Sequence, residues 1–464
     1  MKLLEGKTWA ARLFLLVVSN FFYGYWDPRF LVLLWLSIIV DFSAGLLLGR
    51  AENITTRKII VAASVIFNLG LLGFFKYFDF FQTSVHRIFE ILGLRFSNPG
   101  LLNVILPVGI SFYTFQSMSY VLDIYRHKIQ PCRNLILYAL YVCYFPQLVA
   151  GPIGRAGHLL PQLTKPFSIR LPNILSGLLL IVWGLFKKAV VADNVGLYIV
   201  DPIFERPYDG LQLWLGSIGF GIQVYCDFSG YCDIARGVSR CLGIEIVDNF
   251  LAPYFSSNIT DFWRRWHITL TGWFRDYLYI PLGGNRCGKM RTCFNLWVTM
   301  QLCGLWHGAA WRYVLWGFYH GTLLLVHRLM GGGEKNTEMS ATPKQKLSCF
   351  LKSLGCFLLV SFGWMIFRAD GLRIRGFAYQ MLNPLSWSWS QGGMKELIST
   401  LAVCLGIVAM AHGIQIKAQQ NNEEIEGVFR YSPVLIGCTA GLMLAVTFLL
   451  GSLGENTPFI YFQF

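Results

Sequence analysis

About a dozen apolar runs, most close to the roughly 20 residues that a helix needs to cross a bilayer, follow one another along this chain of 464 residues. They fall near residues 9–26, 30–49, 58–75, 101–120, 135–150, 172–186, 211–235, 294–311, 313–330, 347–367, 397–416 and 433–453. A segment in hydrocarbon must satisfy its backbone hydrogen bonds internally, so such runs are expected to be helices. The expected fold is an all-α integral membrane protein with about 10–12 transmembrane helices plus short re-entrant or interfacial ones. Composition agrees: charged residues make up 14% and hydrophobic residues 55%, against about 25% charged in a soluble domain. There is too little polar surface for several water-exposed domains, and too few charges for a disordered tail. Two polar connectors stand out, 331–346, read as a flexible loop, and 417–430, read as a short surface helix. Neither is long enough to form a domain, so residues 1–464 read as a single multi-pass membrane domain with its core motifs in about 101–330. The first run lacks a small-residue exit and another run follows almost at once, which argues against a cleaved signal peptide.

Net charge is 39 − 25 = +14. Most basic residues sit between apolar runs, where topology-setting charges and headgroup contacts belong, so the lipid bilayer is the expected partner and nucleic acid is not. Lys2, Lys7 and Arg12, then Arg50, Arg57 and Lys58, then Arg126, Lys128 and Arg133, then Lys187 and Lys188 keep one phase and suggest a cytoplasmic N-terminus. The phase then fails across residues 236–291, which hold Arg236, Arg240, Arg264, Arg265, Arg275, Arg286, Lys289 and Arg291. A re-entrant run, or basic residues facing a water-filled cavity inside the protein, is expected there. The twelve cysteines are scattered without any C-x-x-C, so packing is expected of them and no metal site.

Residues 223–233 (QVYCDFSGYCD) place Gln223, Asp227, Ser229, Tyr231 and Asp233 inside an otherwise apolar run. A lipid-facing Asp227 would cost several kcal/mol, so it should face the protein interior. Two readings stand side by side: polar glue, with Asp227 paired to an arginine such as Arg264 or Arg265, or direct contact with a substrate. Residues 261–286 (DFWRRWHITLTGWFRDYLYIPLGGNR) crowd tryptophans, arginines and a histidine together. Ser257 or Asn258 would cap a helix beginning near Ile259. On that helix Arg264 and His267, three apart, would share a face. The bland reading is a membrane-surface belt; the sharper one is a mouth where Arg264, Arg265, Trp266, His267 and Arg275 hold a phosphate-bearing donor.

Residues 304–321 (GLWHGAAWRYVLWGFYHG) carry Trp306, His307 and His320. On one continuous helix the two histidines would sit about 220° and ~20 Å apart, unless the backbone breaks near Ala310–Arg312. An intramembrane histidine is a functional candidate by default, and desolvation keeps it neutral, as a general base requires. His86, His127, His158 and His412 lie in or near connectors and are expected to be solvated. No P-loop, H-E-x-x-H or G-x-S-x-G occurs, which leaves nucleotide hydrolysis, metalloprotease and serine-hydrolase chemistry without support.

These strings, with LPVGISFYTFQSMSYVLDIYR, YFPQLVAGPIGR and the closing PFIYFQF, resemble the membrane-bound O-acyltransferase family over nearly the whole chain. The version WFRDYLYIPLGGNR resembles the alginate O-acetyltransferase membrane subunit (AlgI-type) branch more than the D-alanyl transfer (DltB-type) branch. The resemblance implies funnels from both membrane faces meeting as a tunnel at a buried histidine, here His307, with His320 as the second family histidine. It implies acetyl-coenzyme A, or another acyl thioester or acyl carrier, as donor substrate, with no permanently bound cofactor. It also implies an exported cell-surface polysaccharide as acceptor, an extracytoplasmic SGNH-type partner, and location in a bacterial cytoplasmic membrane. The rival reading from another class is a transporter or flippase of lipid-linked saccharides, which predicts internal repeats; residues 261–286 have no echo in residues 1–230.

Overall fold

The computed structural model describes residues 8–94, 100–102, 104–206, 209–332, 343–388, 394–420, 433–452 and 458–460. The described residues contain helices and no strand. Most of the connector 331–346 and residues 421–430 of the expected surface helix lie outside them. The chain packs as two compact units: residues 1–174 with 238–247 and 308–310, and residues 175–237, 248–307 and 311–464.

In the first unit run α1 (Thr8–Trp26), α2 (Arg29–Arg50), α3 (Ile54–Ile91), α4 (Ile110–Tyr125), α5 (Leu135–Cys143) and α6 (Ala156–Thr164). Asn53 caps α3, its side chain accepting from the Thr55 N–H at 2.7 Å. A polar knot ties α2 to α3. Asp41 accepts from the Ser64 hydroxyl at 2.6 Å and from the Asn68 amide at 2.9 and 3.0 Å. Ser37 extends the knot to Ser117 of α4 at 3.3 Å. Arg57 donates to the carbonyls of Leu48 (2.7 Å) and Tyr125 (3.1 Å) near the ends of α2 and α4, where a cation complements exposed helix carbonyls. Gly109, with φ +76°, starts α4; a Cβ there would lie 2.6 Å from the Leu148 carbonyl oxygen. Phe21, Tyr25, Ile59 and Ile66 point outward, as lipid-facing helices require.

The second unit carries most of α7 (Leu171–Glu205) and α8 (Gly210–Cys241), then α9 (Ile259–Arg265), α10 (Ile268–Phe274), α11 (Lys289–His307) and α12 (Trp311–Leu329). It ends with α13 (Pro343–Arg368), α14 (Ile374–Leu382), α15 (Met394–Gln420) and α16 (Pro433–Leu450). Glycines set how closely these helices approach. A Cβ on Gly184 of α7 would stand 2.5 Å from the Gly230 carbonyl oxygen of α8, and one on Gly317 of α12 would stand 2.5 Å from that of Met300 in α11.

Among the described residues α2, α3, α7, α13 and α15 are long and apolar enough to span a membrane, fewer than the number of apolar runs. The difference has local causes. Residues 135–150 break into the helices Leu135–Cys143 and Phe145–Leu148, and the run from residue 101 becomes helical only at Ile110. Helices α1, α8, α11 and α12 have the length but fall short on apolarity or charge. The irregularity expected within residues 236–291 takes the form of two short helices joined at His267, whose φ of 44° is left-handed, followed by a wide turn at Arg275–Tyr279.

Candidate active site

The site grows out of the α9–α10 break and the α11–α12 hairpin. Asn258 caps α9, accepting from the Asp261 N–H at 2.9 Å, as the sequence suggested. The helix stops at Arg265, so His267 does not share a helical face with Arg264 as expected. Instead the left-handed turn swings the imidazole inward, where it is 1% exposed. Asn249 holds it there. The Asn249 Oδ1 accepts from the Thr269 N–H (3.1 Å), the Thr269 hydroxyl (2.9 Å) and the His267 Nδ1–H (3.1 Å). The Thr269 main-chain N–H can only donate, which fixes the end of the amide facing it as the acceptor and leaves the amide nitrogen toward the Cys232 sulfur at 3.6 Å. A carbonyl oxygen can only accept, so the proton of neutral His267 is on Nδ1 and the lone pair on Nε2. His267 lies outside the five spanning helices, and burial, reinforced by neighbouring His307, holds its pKa well below the usual imidazole range. It is a neutral, oriented ring.

His307 ends α11, and the chain leaves the helical path at Gly308–Ala310 before α12 begins at Trp311. This is the break that the 220° separation required. It brings both histidines against one side chain: the Trp316 ring lies 5.2 Å from the His307 ring and 4.7 Å from that of His320. Trp306 (5.1 Å) and Phe367 (5.4 Å) also pack on His307. The Trp306 ring is 6.0 Å from that of His267, so His267, Trp306 and His307 form one buried row. His320 is fully buried against Trp263 at 5.2 Å, and a Cβ on Gly363 would stand 2.5 Å from its Nε2. The geometry offers buried imidazoles in an aromatic cage, the setting in which a base can act on a hydroxyl with bulk water excluded.

The other expected residues separate into groups. Arg264 and Arg275 are exposed, Arg265 is half-buried and paired with Asp261 at 3.0 Å, and Trp266 is buried against Phe250 and Phe262. The basic-aromatic block therefore divides between an outward arginine set and an inward Trp266–His267 pair. Along α8, the polar residues face α7. Asp227 pairs with Lys188 at 3.1 Å, not with Arg264 or Arg265, and also accepts from the Ile460 N–H at 2.7 Å. Asp233 pairs with Lys187 at 2.6 Å, and Lys187 also donates to Ser229 at 2.9 Å. Gln223 lies beside Gly196 of α7, where a Cβ would stand 2.5 Å from its amide nitrogen. The Tyr231 ring rests 5.2 Å from that of Phe459.

Several participants were missed. Lys187 and Lys188 read in the sequence as topology-setting charges, yet Lys187 is 3% exposed and both pair with buried carboxylates, Lys187 with Asp233 and Lys188 with Asp193 and Asp227. His412 is fully buried rather than solvated, its Nε2 accepting from the Tyr254 N–H at 3.4 Å. His127 and His158 are exposed as expected. Asn249 had no signal beyond its place a few residues before a polar block, and Trp316 none beyond a WGFYHG string.

The chain belongs to the membrane-bound O-acyltransferase family, whose profile matches residues 132–362 and so includes every one of these site residues up to His320. It is an O-acyltransferase, a membership that favours the enzyme over the transporter reading. It is 36% identical over 97% of its length to the probable alginate O-acetylase AlgI of Pseudomonas putida, covering 94% of that protein. It is likewise 36% identical to a peptidoglycan O-acetyltransferase of Helicobacter pylori, over 78% of this chain and 71% of that one. A teichoic acid D-alanyltransferase of Bacillus subtilis is 28% identical over 57% of this chain and 69% of its own.

Proposed function

We propose that the protein passes an acetyl group from a cytosolic thioester, acetyl-coenzyme A, toward hydroxyls of an exported cell-surface polysaccharide. The observation that carries the reading is His307. It is a buried imidazole in an aromatic cage, in one row with the neutral, oriented His267, within the stretch that the family profile matches. Among the relatives, those named for acetyl transfer to alginate or peptidoglycan match more of the chain, at higher identity, than those named for D-alanyl transfer.

In the mechanism, His307 takes the proton of the incoming hydroxyl as its oxygen attacks the thioester carbonyl carbon, then returns it to the departing sulfur. His267 supports the same row through its fixed tautomer. The cage excludes water, which would otherwise hydrolyse the thioester. Arg264, Arg265 and Arg275 hold the phosphates of the donor, as guanidinium groups do with bidentate geometry. The polar face of α8, from Gln223 to Asp233, holds α7 in place beside the site. The protein resides in a bacterial cytoplasmic membrane, and an extracytoplasmic SGNH-type partner completes transfer to the polymer.

The test is isotope tracing. Membrane vesicles carrying the protein, given labelled acetyl-coenzyme A, should place label in alkali-labile esters, and vesicles lacking it should not. Label that enters equally with and without the protein, or that enters only from a different acyl donor, refutes the proposed donor.

A further inference from the structure

We propose that the indole N–H of Trp316 is the hydrogen-bond donor that receives the negative charge developing on the acyl carbonyl oxygen. The proposal rests on the acyl-transfer reading with His307 as base. Its own basis is a second set of observations, centred on the tryptophan that touches both histidines.

Trp316 is fully buried, with its ring edge-on to His307 (5.2 Å, 85°) and 4.7 Å from His320. Trp263 (5.5 Å), Phe367 (5.4 Å) and Trp364 (6.0 Å) close the cage around it. Yet its Nε1 finds no acceptor among the described residues. Buried indole N–H groups usually find a partner, and over nine in ten buried backbone polar groups do. The Trp263 Nε1 in the same cage also finds none, nor does either nitrogen of His320. The rings around them are otherwise apolar, so no described residue offsets the cost of leaving these polar groups unpaired.

What an acyl transfer brings to this place is an oxygen. The base must stand within hydrogen-bond reach of the attacking hydroxyl, which puts the carbonyl under attack beside His307 and hence beside Trp316. As the hydroxyl oxygen bonds to the carbonyl carbon, its proton passes to His307 and the carbonyl π pair moves onto the carbonyl oxygen. That oxygen accepts from Trp316. Collapse restores the C=O bond, breaks the C–S bond, and sends the proton from His307 to the sulfur, giving ester and thiol. A fixed donor in a water-excluded cage costs no reorganisation at the moment the charge forms. An indole N–H also does not titrate, so it serves at any pH at which His307 is neutral.

Trp316→Phe keeps an aromatic ring and removes the donor. Benzothienylalanine at position 316, introduced by nonsense suppression, keeps the bicyclic shape and replaces only the N–H, so it remains informative if the phenylalanine variant fails to accumulate. Trp297→Phe, in the same hairpin but packed against Phe318, is the matched control. With labelled acetyl-coenzyme A and vesicles carrying the full chain, both changes at 316 should lower kcat by about 10²–10³-fold. KM for acetyl-coenzyme A should stay within a few-fold of normal, and the limbs of the pH profile should not move. A wild-type rate in either variant overturns the proposal. So does a displaced pH limb, which would make Trp316 a support for the His307 ring. A wild-type rate in His307→Ala would instead overturn the underlying reading.

Discussion

Asn249→Ala isolates the contact that orients His267. The substitution leaves the Asn249 main-chain oxygen in place, which accepts from the Ile268 N–H at 2.9 Å, so the path of the α9–α10 break is kept. It removes the Oδ1 that accepts from the Thr269 N–H, the Thr269 hydroxyl and the His267 Nδ1–H. Three hydrogen bonds at about 1 kcal/mol net each give a cost of about 3 kcal/mol. Of this, about 1 kcal/mol, together with the freed choice of tautomer, falls on the imidazole itself. If His267 must present its Nε2 lone pair to the row containing His307, the loss should appear in kcat as about 10–100-fold, or about 1.4–2.8 kcal/mol of activation free energy. Asn249→Asp retains the acceptor and should recover most of the rate, with a pH profile displaced by the added carboxylate. The assay is single-turnover transfer from labelled acetyl-coenzyme A, with thermal unfolding in detergent run alongside. An Asn249→Ala protein that unfolds earlier yet transfers at the wild-type rate would show that His267 orientation has no part in the chemistry.

Other outcomes follow from the same contacts. Lys187→Met strips the buried Asp233 of its nearest cation and should cost about 3–5 kcal/mol of stability. The double change Lys187→Met, Asp233→Leu should cost clearly less, because Arg236 retains Asp248 at 2.5 Å; additive losses in thermal unfolding would refute the pairing. Gly184→Val should separate α7 from α8 and cost about 1–3 kcal/mol by overpacking, read as a lower midpoint in the same assay; an unchanged midpoint would contradict the close approach. Arg264→Gln with Arg275→Gln should raise KM for acetyl-coenzyme A by about tenfold at low salt while kcat holds, if each exposed guanidinium contributes under about 1 kcal/mol to phosphate binding. A fall in kcat alone would remove them from the donor site.

The helical class was legible because continuous apolar runs of about 20 residues suit spanning helices rather than the shorter, alternating strands of a barrel, and because short caps such as Asn258 act locally. The break between His307 and His320 was legible as a condition: two histidines thirteen apart could meet only if the helix stopped between them, and it does. What escaped were features decided by helix pairing. Lys187 and Lys188 look like the cytoplasmic end of a span, and only the approach of α7 to α8 at Gly184 and Gly230 shows that they answer Asp233 and Asp227. His267 reads as part of a helical arginine face until the left-handed turn reverses its direction. His412 reads as a solvated residue near a connector, and its burial involves Tyr254, a residue 158 positions away. Periodicity reports which face a residue shares with its neighbours, not which helix comes to meet that face.

The decisive role falls to the imidazole at the end of α11, and replacing it with an isosteric amide tests it most directly. His307→Gln, at wild-type abundance and with acetyl-coenzyme A binding intact, should lose about 10²–10⁴-fold in the rate of acetyl transfer. Transfer within a few-fold of wild type from that protein would contradict the role given to His307 and return the cage to a purely structural one.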